Sequence, residues 1–215
     1  MGRLIGILGA GGFAREVAPL VRAQLATAEP DAEIVFVDRV GAGRVNGHEV
    51  MAECNFFAVD RLRAFTVAIA DPALRRRLFT RAEASGAVVL NVRAGSAEVL
   101  DAVVFGPGAI LCGHSSVTSN TRVGKGFHLN FHSYLAHDCV VGDFVTVGPN
   151  VVCAGNVVIE DDVYIGGGAL IRQGTPDAPI VIGAGAIIGM GAVVTRSVGG
   201  GSTVVGNPAR PLAKR

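Results

Sequence analysis

Val117-Thr118-Ser119-Asn120-Thr121-Arg122-Val123-Gly124-Lys125-Gly126-Phe127-His128-Leu129 places an apolar residue at every sixth position. The same frame runs back through Leu111 and Phe105 to Val99. It runs forward through Leu135, Val141, Val147, Cys153, Ile159 and Ile165 to Ile171. The residue that follows is usually small, as at Gly106, Cys112, Thr118, Gly124, Ala136, Gly142, Gly148 and Gly166. A fixed short period of this kind is the sequence form of a solenoid. Six residues fit one flat side of a triangular coil: a short strand turns its apolar residue to the axis, and small residues let the backbone round the corner. Three such sides make about eighteen residues per coil, so positions that far apart stack. The beat breaks once, where Asp177–Val181 adds five residues before Ile182, Ile188 and Val194 resume it.

The first ninety or so residues follow another pattern. Leu4–Leu8 is a short apolar run, then comes Gly9-Ala10-Gly11-Gly12-Phe13-Ala14, then Val17, Leu20, Val21 and Leu25 at helical spacing. Strand, Gly-rich turn and helix predict a Rossmann-like unit. A second strand over Glu33–Val37 ends at Asp38, a third is expected at Phe65–Ala70, and a fourth at Ala87–Val92. Asp71-Pro72 reads as the start of a helix reaching about Glu83, with proline in the first turn. Gly41–Asp60 reads as irregular. In the turn, Gly9 suits a tight bend and Gly11 and Gly12 leave room for a diphosphate at free helix N–H groups. Asp38 stands where an acid meets a ribose or base. The expected domains are 1–94, nucleotide-binding, and 95–215, the coil.

Composition limits the partners. Net charge is +1 over 215 residues, which gives no basic surface for nucleic acid or an anionic membrane. Cys54, Cys112, Cys139 and Cys153 show no CxxC spacing, and the last three fall at repeat positions that favour small or apolar side chains. No signal-type segment precedes the first strand and no apolar run has the length of a membrane span, so a soluble cytoplasmic protein is expected.

The repeat resembles that of the hexapeptide-repeat acyltransferases. The two-part order is similar to the group that holds sialic acid O-acetyltransferases and the bacillosamine and perosamine N-acetyltransferases. The likeness covers nearly the whole chain. It implies a left-handed parallel β-helix after an α/β Rossmann-like domain, a homotrimer, acetyl-CoA as cosubstrate, no metal, and a nucleotide-linked amino sugar of the 4-amino-4,6-dideoxy type as acceptor. The family's catalytic motif matches Asn130 and the His137-Asp138 pair. The resemblance makes His137 the general base, Asp138 its partner and Asn130 a residue that positions the nucleophile. An imidazole, with its ordinary pKa near 6.5, suits proton transfer at neutral pH. Gly155, in Cys153-Ala154-Gly155-Asn156-Val157, lies one period beyond His137. In the family this glycine offers its N–H to the thioester carbonyl, a task suited to stabilising an oxyanion. Ala154 beside it, Gly189 and Met190, and Pro208 in the exit motif Gly206-Asn207-Pro208-Ala209-Arg210 match segments that follow coenzyme A.

Three positions depart from the family pattern. Phe13 stands where relatives commonly have histidine, Thr146 where many carry another histidine near the acyl group, and Met190 where a glycine is usual. Phe13 is still counted with the substrate-binding turn, and Thr146, whose hydroxyl can hydrogen-bond, with the coenzyme-binding residues. Other readings stay open from sequence. O-acetylation of sialic acid or another sugar is one. A zinc carbonic anhydrase on the same coil is a second, since His132 and His137 are five apart and His114 lies one period before His132. A scaffold without catalysis is a third.

Overall fold

The computed structural model describes residues 2–212 of the chain, which divides into two compact units, 1–94 and 95–215. In the first, β1 (Leu4–Leu8) is followed by α1 (Gly12–Leu25) and β2 (Glu33–Asp38). A hairpin of β3 (Arg44–Val45) and β4 (His48–Ala52) leads into a short helix, α2 (Glu53–Ala58). Then come β5 (Arg63–Val67), α3 (Pro72–Ala84) and β6 (Val88–Val89). The sheet order is β3-β4-β2-β1-β5-β6, parallel except for the β3–β4 hairpin at its edge. All five β1 residues are buried, and α1 packs Ala14, Val17, Ala18, Val21 and Leu25 inward. Asp71 caps α3 by accepting from the Leu74 N–H at 2.7 Å, with Pro72 in the first turn.

Three sequence expectations for this unit change. The third strand is Arg63–Val67, beginning two residues and ending three residues earlier than predicted; the Ala68 N–H beyond it donates to Leu8 O. The expected fourth strand is two short pieces, Val88–Val89 and Val92–Arg93. The segment read as irregular holds the β3–β4 hairpin and α2. Its turn at Asn46-Gly47 has both residues at positive φ, 47° and 83°, the geometry of a tight hairpin.

The second unit is a parallel β-helix whose strands fall on three sides. The first side stacks Glu98–Val99, Ser116–Val117, Tyr134–Leu135, Val152–Cys153, Leu170–Ile171 and Val193–Val194. The second stacks Val104–Phe105, Arg122–Val123, Val140–Val141, Val157–Ile159 and Ile180–Ile182. The third stacks Ile110–Leu111, His128–Leu129, Thr146–Val147, Tyr164–Ile165 and Ile187–Ile188. Ile159 pairs with Ile182, so the extra residues are absorbed in a loop closed by the reciprocal Thr175 and Ala178 hydrogen bonds, and the register survives. From Leu111 to Ile171 every sixth-position residue is at most 5% exposed. Each side chain so buried contributes on the order of 1.5–3 kcal/mol.

Each corner is turned by a residue in the left-handed region. One column of such residues is Ala102, Asn120, Asp138 and Asn156, with φ 57°, 61°, 57° and 56°. A second is His114, His132 and Asn150, with φ 56°, 59° and 55°. The third is Gly126, Phe144 and Asp162. Short polar residues and glycine tolerate this conformation best, which explains why Asn, Asp and Gly recur with the period. Carbonyls of one coil accept from N–H groups of the coil before, as in Asn130 N–H to Val147 O at 3.0 Å.

Candidate active site

The polar residues singled out in sequence divide between two corners of the coil. His137 and Asp138 lie where the first side gives way to the second, after Tyr134–Leu135 and before Val140–Val141. Ala154 and Gly155 occupy the same corner one coil on. Asn130 lies at the corner between the third and first sides, after His128–Leu129, and Gly189 and Met190 share that corner. Within one chain the full width of the first side therefore separates Asn130 from His137.

At the His137 corner the geometry is specific. His137 Nδ1 lies 2.7 Å from Asp138 Oδ2. The left-handed backbone of Asp138 turns its carboxylate back toward the preceding ring, which lets two consecutive residues pair. Asn120 donates from Nδ2 to Asp138 Oδ1 at 3.2 Å. The hydrogen bond with His137, and after it the one from Asn120, hold the Asp138 carboxyl below its usual range. The carboxylate is then acceptor-only, so Nδ1 carries the ring hydrogen and Nε2 of the neutral imidazole has a free lone pair. About half of each side chain is exposed.

Gly155 lies against the His137 ring. A Cβ built there would come within 2.5 Å of His137 Cε1 and 2.7 Å of Nε2. The absent side chain is thus filled by the imidazole, a reason for glycine additional to any approach by ligand. Among the described residues the Gly155 N–H donates to no backbone carbonyl. The nearby thiols are not exposed nucleophiles: Cys139 and Cys153 are buried, and the hydrogen bond with Cys139 together with burial pushes Cys153 well above the ordinary thiol range.

The other corner differs. Asn130 Nδ2 donates to Val147 O at 2.9 Å. His114 and His132 stack with ring centroids 5.1 Å apart and planes 8° from parallel. Met190 is 83% exposed, so it points away from the coil and fills no space within it. A Cβ on Gly189 would meet Val205 at 2.7 Å, a packing reason for that glycine. Pro208 is exposed and follows a cis peptide bond. Thr146 lies at neither corner: it is buried, 2% exposed, on the third side. Among the described residues no three His, Cys, Asp or Glu side chains cluster as metal ligands do.

In the first unit a cavity of about 490 Å³ opens at the carboxyl ends of β1 and β2, lined by Gly9, Ala10, Gly11 and Asp38. Gly9 has φ 106°, open only to glycine, and Gly11 faces space with nothing within 4 Å of where a Cβ would be. Gly12 opens α1 beside it, whereas Phe13 is half-buried and does not line the cavity. Glu53 and Arg77 also line it. Sequence reasoning missed Glu53 because α2 was not recognised. It missed Asn120 although its place one period before Asp138 was a usable signal.

A parallel β-helix of six-residue sides with a carboxylate-paired histidine at a corner defines a hexapeptide-repeat acyltransferase. The bacterial transferase hexapeptide model matches residues 138–173, and the PglD N-terminal domain model matches residues 4–82. GDP-perosamine N-acetyltransferase of Escherichia coli O157:H7 is 45% identical over 98% of this chain and 97% of its own length. WeeI from Acinetobacter baumannii AYE superposes with a TM-score of 0.94 at 47% identity, covering 98% of this chain and 100% of that one. PerB from Caulobacter crescentus, solved with CoA and GDP-perosamine, gives a TM-score of 0.88 at 26% identity, covering 99% and 98%. The chain belongs to the family of hexapeptide-repeat N-acetyltransferases of nucleotide-linked amino sugars. No helix among the described residues is long and apolar enough to cross a membrane.

Proposed function

We propose that the protein transfers the acetyl group of acetyl-CoA to the 4-amino group of a GDP-linked 4-amino-4,6-dideoxy sugar of the perosamine type. The observation that carries this reading is the 45% identity, over nearly the whole of both chains, to an enzyme named for that substrate. The His137 corner fits the chemistry. As the sugar nitrogen attacks the thioester carbonyl, Nε2 of His137 takes a proton from it and the Asp138 carboxylate stabilises the imidazolium. The tetrahedral oxyanion accepts from the Gly155 N–H. The C–S bond then breaks, and the CoA sulfur takes up a proton as it leaves. The buried thiols favour this direct attack over a covalent acyl-enzyme. In the first unit, Gly9, Gly11 and Gly12 offer backbone to the diphosphate and Asp38 accepts from the ribose. Phe13 is half-buried and stands outside the cavity lining, and Ala154, Gly189, Met190 and Pro208 border the coenzyme path.

The working form in this proposal is a homotrimer in the cytoplasm. Along the first side Tyr134, Val152 and Leu170 are stacked in register and 39%, 42% and 44% exposed. Three copies that turn this apolar side to a common axis bury the stripe. They also bring the His137 corner of one protomer against the Asn130 corner of the next. Incubation with acetyl-CoA and, separately, GDP-, UDP- and dTDP-linked 4-amino sugars tests the assignment. N-acetylated GDP-sugar is the expected product by mass. Acetylation of a hydroxyl on an unlinked sugar, with the GDP-amino sugar untouched, supports the O-acetyltransferase reading instead.

A further inference from the structure

Asn120 and Asp138 occupy the same left-handed column on successive coils, φ 61° and 57°. The Asn120 amide donates to Asp138 Oδ1 at 3.2 Å, while Oδ2 is 2.7 Å from His137 Nδ1. We propose that Asn120 is a positioning residue of the acetyl transfer, holding the plane of the Asp138 carboxylate and through it the tautomer and orientation of His137. The inference rests on His137 being the base.

The residue requirement at position 120 is narrow. The backbone there favours Asn, Asp or Gly. The neighbour is a carboxylate that can only accept, so the side chain must donate. Asparagine alone of the three meets both conditions at neutral pH. Without that donor the Asp138 torsion is soft, because the terminal torsion of a carboxylate is broad. Oδ2 then exchanges His137 Nδ1 for water, and the ring hydrogen is free to move to Nε2, the atom that must accept from the substrate. Asn150 and Asn156 are left-handed corner residues too, with φ 55° and 56°, so backbone geometry alone also accounts for an asparagine. The test therefore has to read the amide hydrogen itself.

Asn120→Asp keeps size and backbone preference and replaces the donor by a second acceptor. The expected result at pH 8 is a fall in kcat of about tenfold, part of the general-base contribution, with KM for both substrates nearly unchanged. The titratable groups at this corner are His137, Asp138 and the buried Cys139 and Cys153 thiols. The new carboxylate also acts on the imidazole as a charge, so Asn120→Gly, which lacks any donor and adds no charge, is the companion variant and is expected to give a similar loss at pH 8. A wild-type kcat for Asn120→Gly at pH 8 overturns the proposal where His137→Asn is inactive. An active His137→Asn enzyme overturns the base reading instead. The ¹⁵N shifts of the His137 ring in Asn120→Gly then still decide the inference: one fixed Nδ1–H tautomer in that variant refutes it, a mixed population supports it.

Discussion

Two corners of one coil carry histidines, and they are built differently. Between the third and first sides, His114 and His132 are themselves the left-handed corner residues. Their rings lie flat on one another at 5.1 Å, and no carboxylate pairs with either among the described residues. Between the first and second sides the left-handed residue is Asp138, and the histidine stands one place before it. That single step turns a carboxylate onto the imidazole at 2.7 Å and exposes the opposite ring nitrogen over a glycine. The same period therefore produces an imidazole stack at one corner and an oriented acid–base pair at the other. What decides is which position of the turn the histidine occupies.

The largest expected effect is at the paired histidine. His137→Asn should lower kcat by about 10²–10⁴-fold with KM for acetyl-CoA nearly unchanged, since a general base supplies about that much. Steady-state kinetics with a melting curve alongside separates this from unfolding. A loss under tenfold removes the distinction between the corners. The two corners can also be tested against each other. In the proposed trimer, with its sites shared between protomers, Asn130→Ala and His137→Asn chains, each inactive alone, should recover about a quarter of wild-type activity when mixed at random, because one site in three is intact in each mixed trimer. No recovery in trimers shown by mass to be mixed would mean that both residues act within one chain, or that Asn130 has no part in the site.

The coil was legible because its cause is local: an apolar residue must face the axis on every side, so the repeat has to be written in the sequence. Periodicity alone also stacked Gly155 on His137 and His132 on His114. Position in the coil was harder to read. The period says which residues stack but not which side of the prism they share, and Asn130 and His137, read as one motif, fall at different corners. Thr146, expected beside the acyl group, is buried on the third side, since exposure depends on everything packed over a side. In the first unit the Gly-rich turn was clear from glycines with a geometric task. The hairpin and α2 were not, because two-residue and six-residue elements carry too little periodicity to register.

A smaller effect is expected at Gly155. Gly155→Ala puts a methyl group within 2.5 Å of the imidazole, so the ring must swing away. The backbone N–H remains, which makes the variant a test of imidazole position rather than of the oxyanion donor. A kcat loss of about 10–100-fold with folding intact is expected, smaller than for His137→Asn. Activity within twofold of wild type would show that the base tolerates displacement, and the fixed geometry of this corner would lose its claim to matter.

The smallest effect belongs to the stacked pair. His132→Ala leaves the His137–Asp138–Asn120 set intact and removes one face of an exposed stack, so kcat should stay within about threefold and the melting temperature should shift by only a few degrees. Alanine is less suited than histidine to the left-handed backbone, so His132→Asn, which keeps that preference, serves as the control. Exhaustive chelation should leave wild-type activity unchanged as well. Bound zinc in stoichiometric amount, lost together with activity in His132→Asn, would give the imidazole stack a ligating role and reverse the ranking of the two corners. If instead kcat falls as far as in His137→Asn without metal, the stack contributes to the neighbouring protomer's site. The contrast between the corners would then be one of task and no longer one of importance.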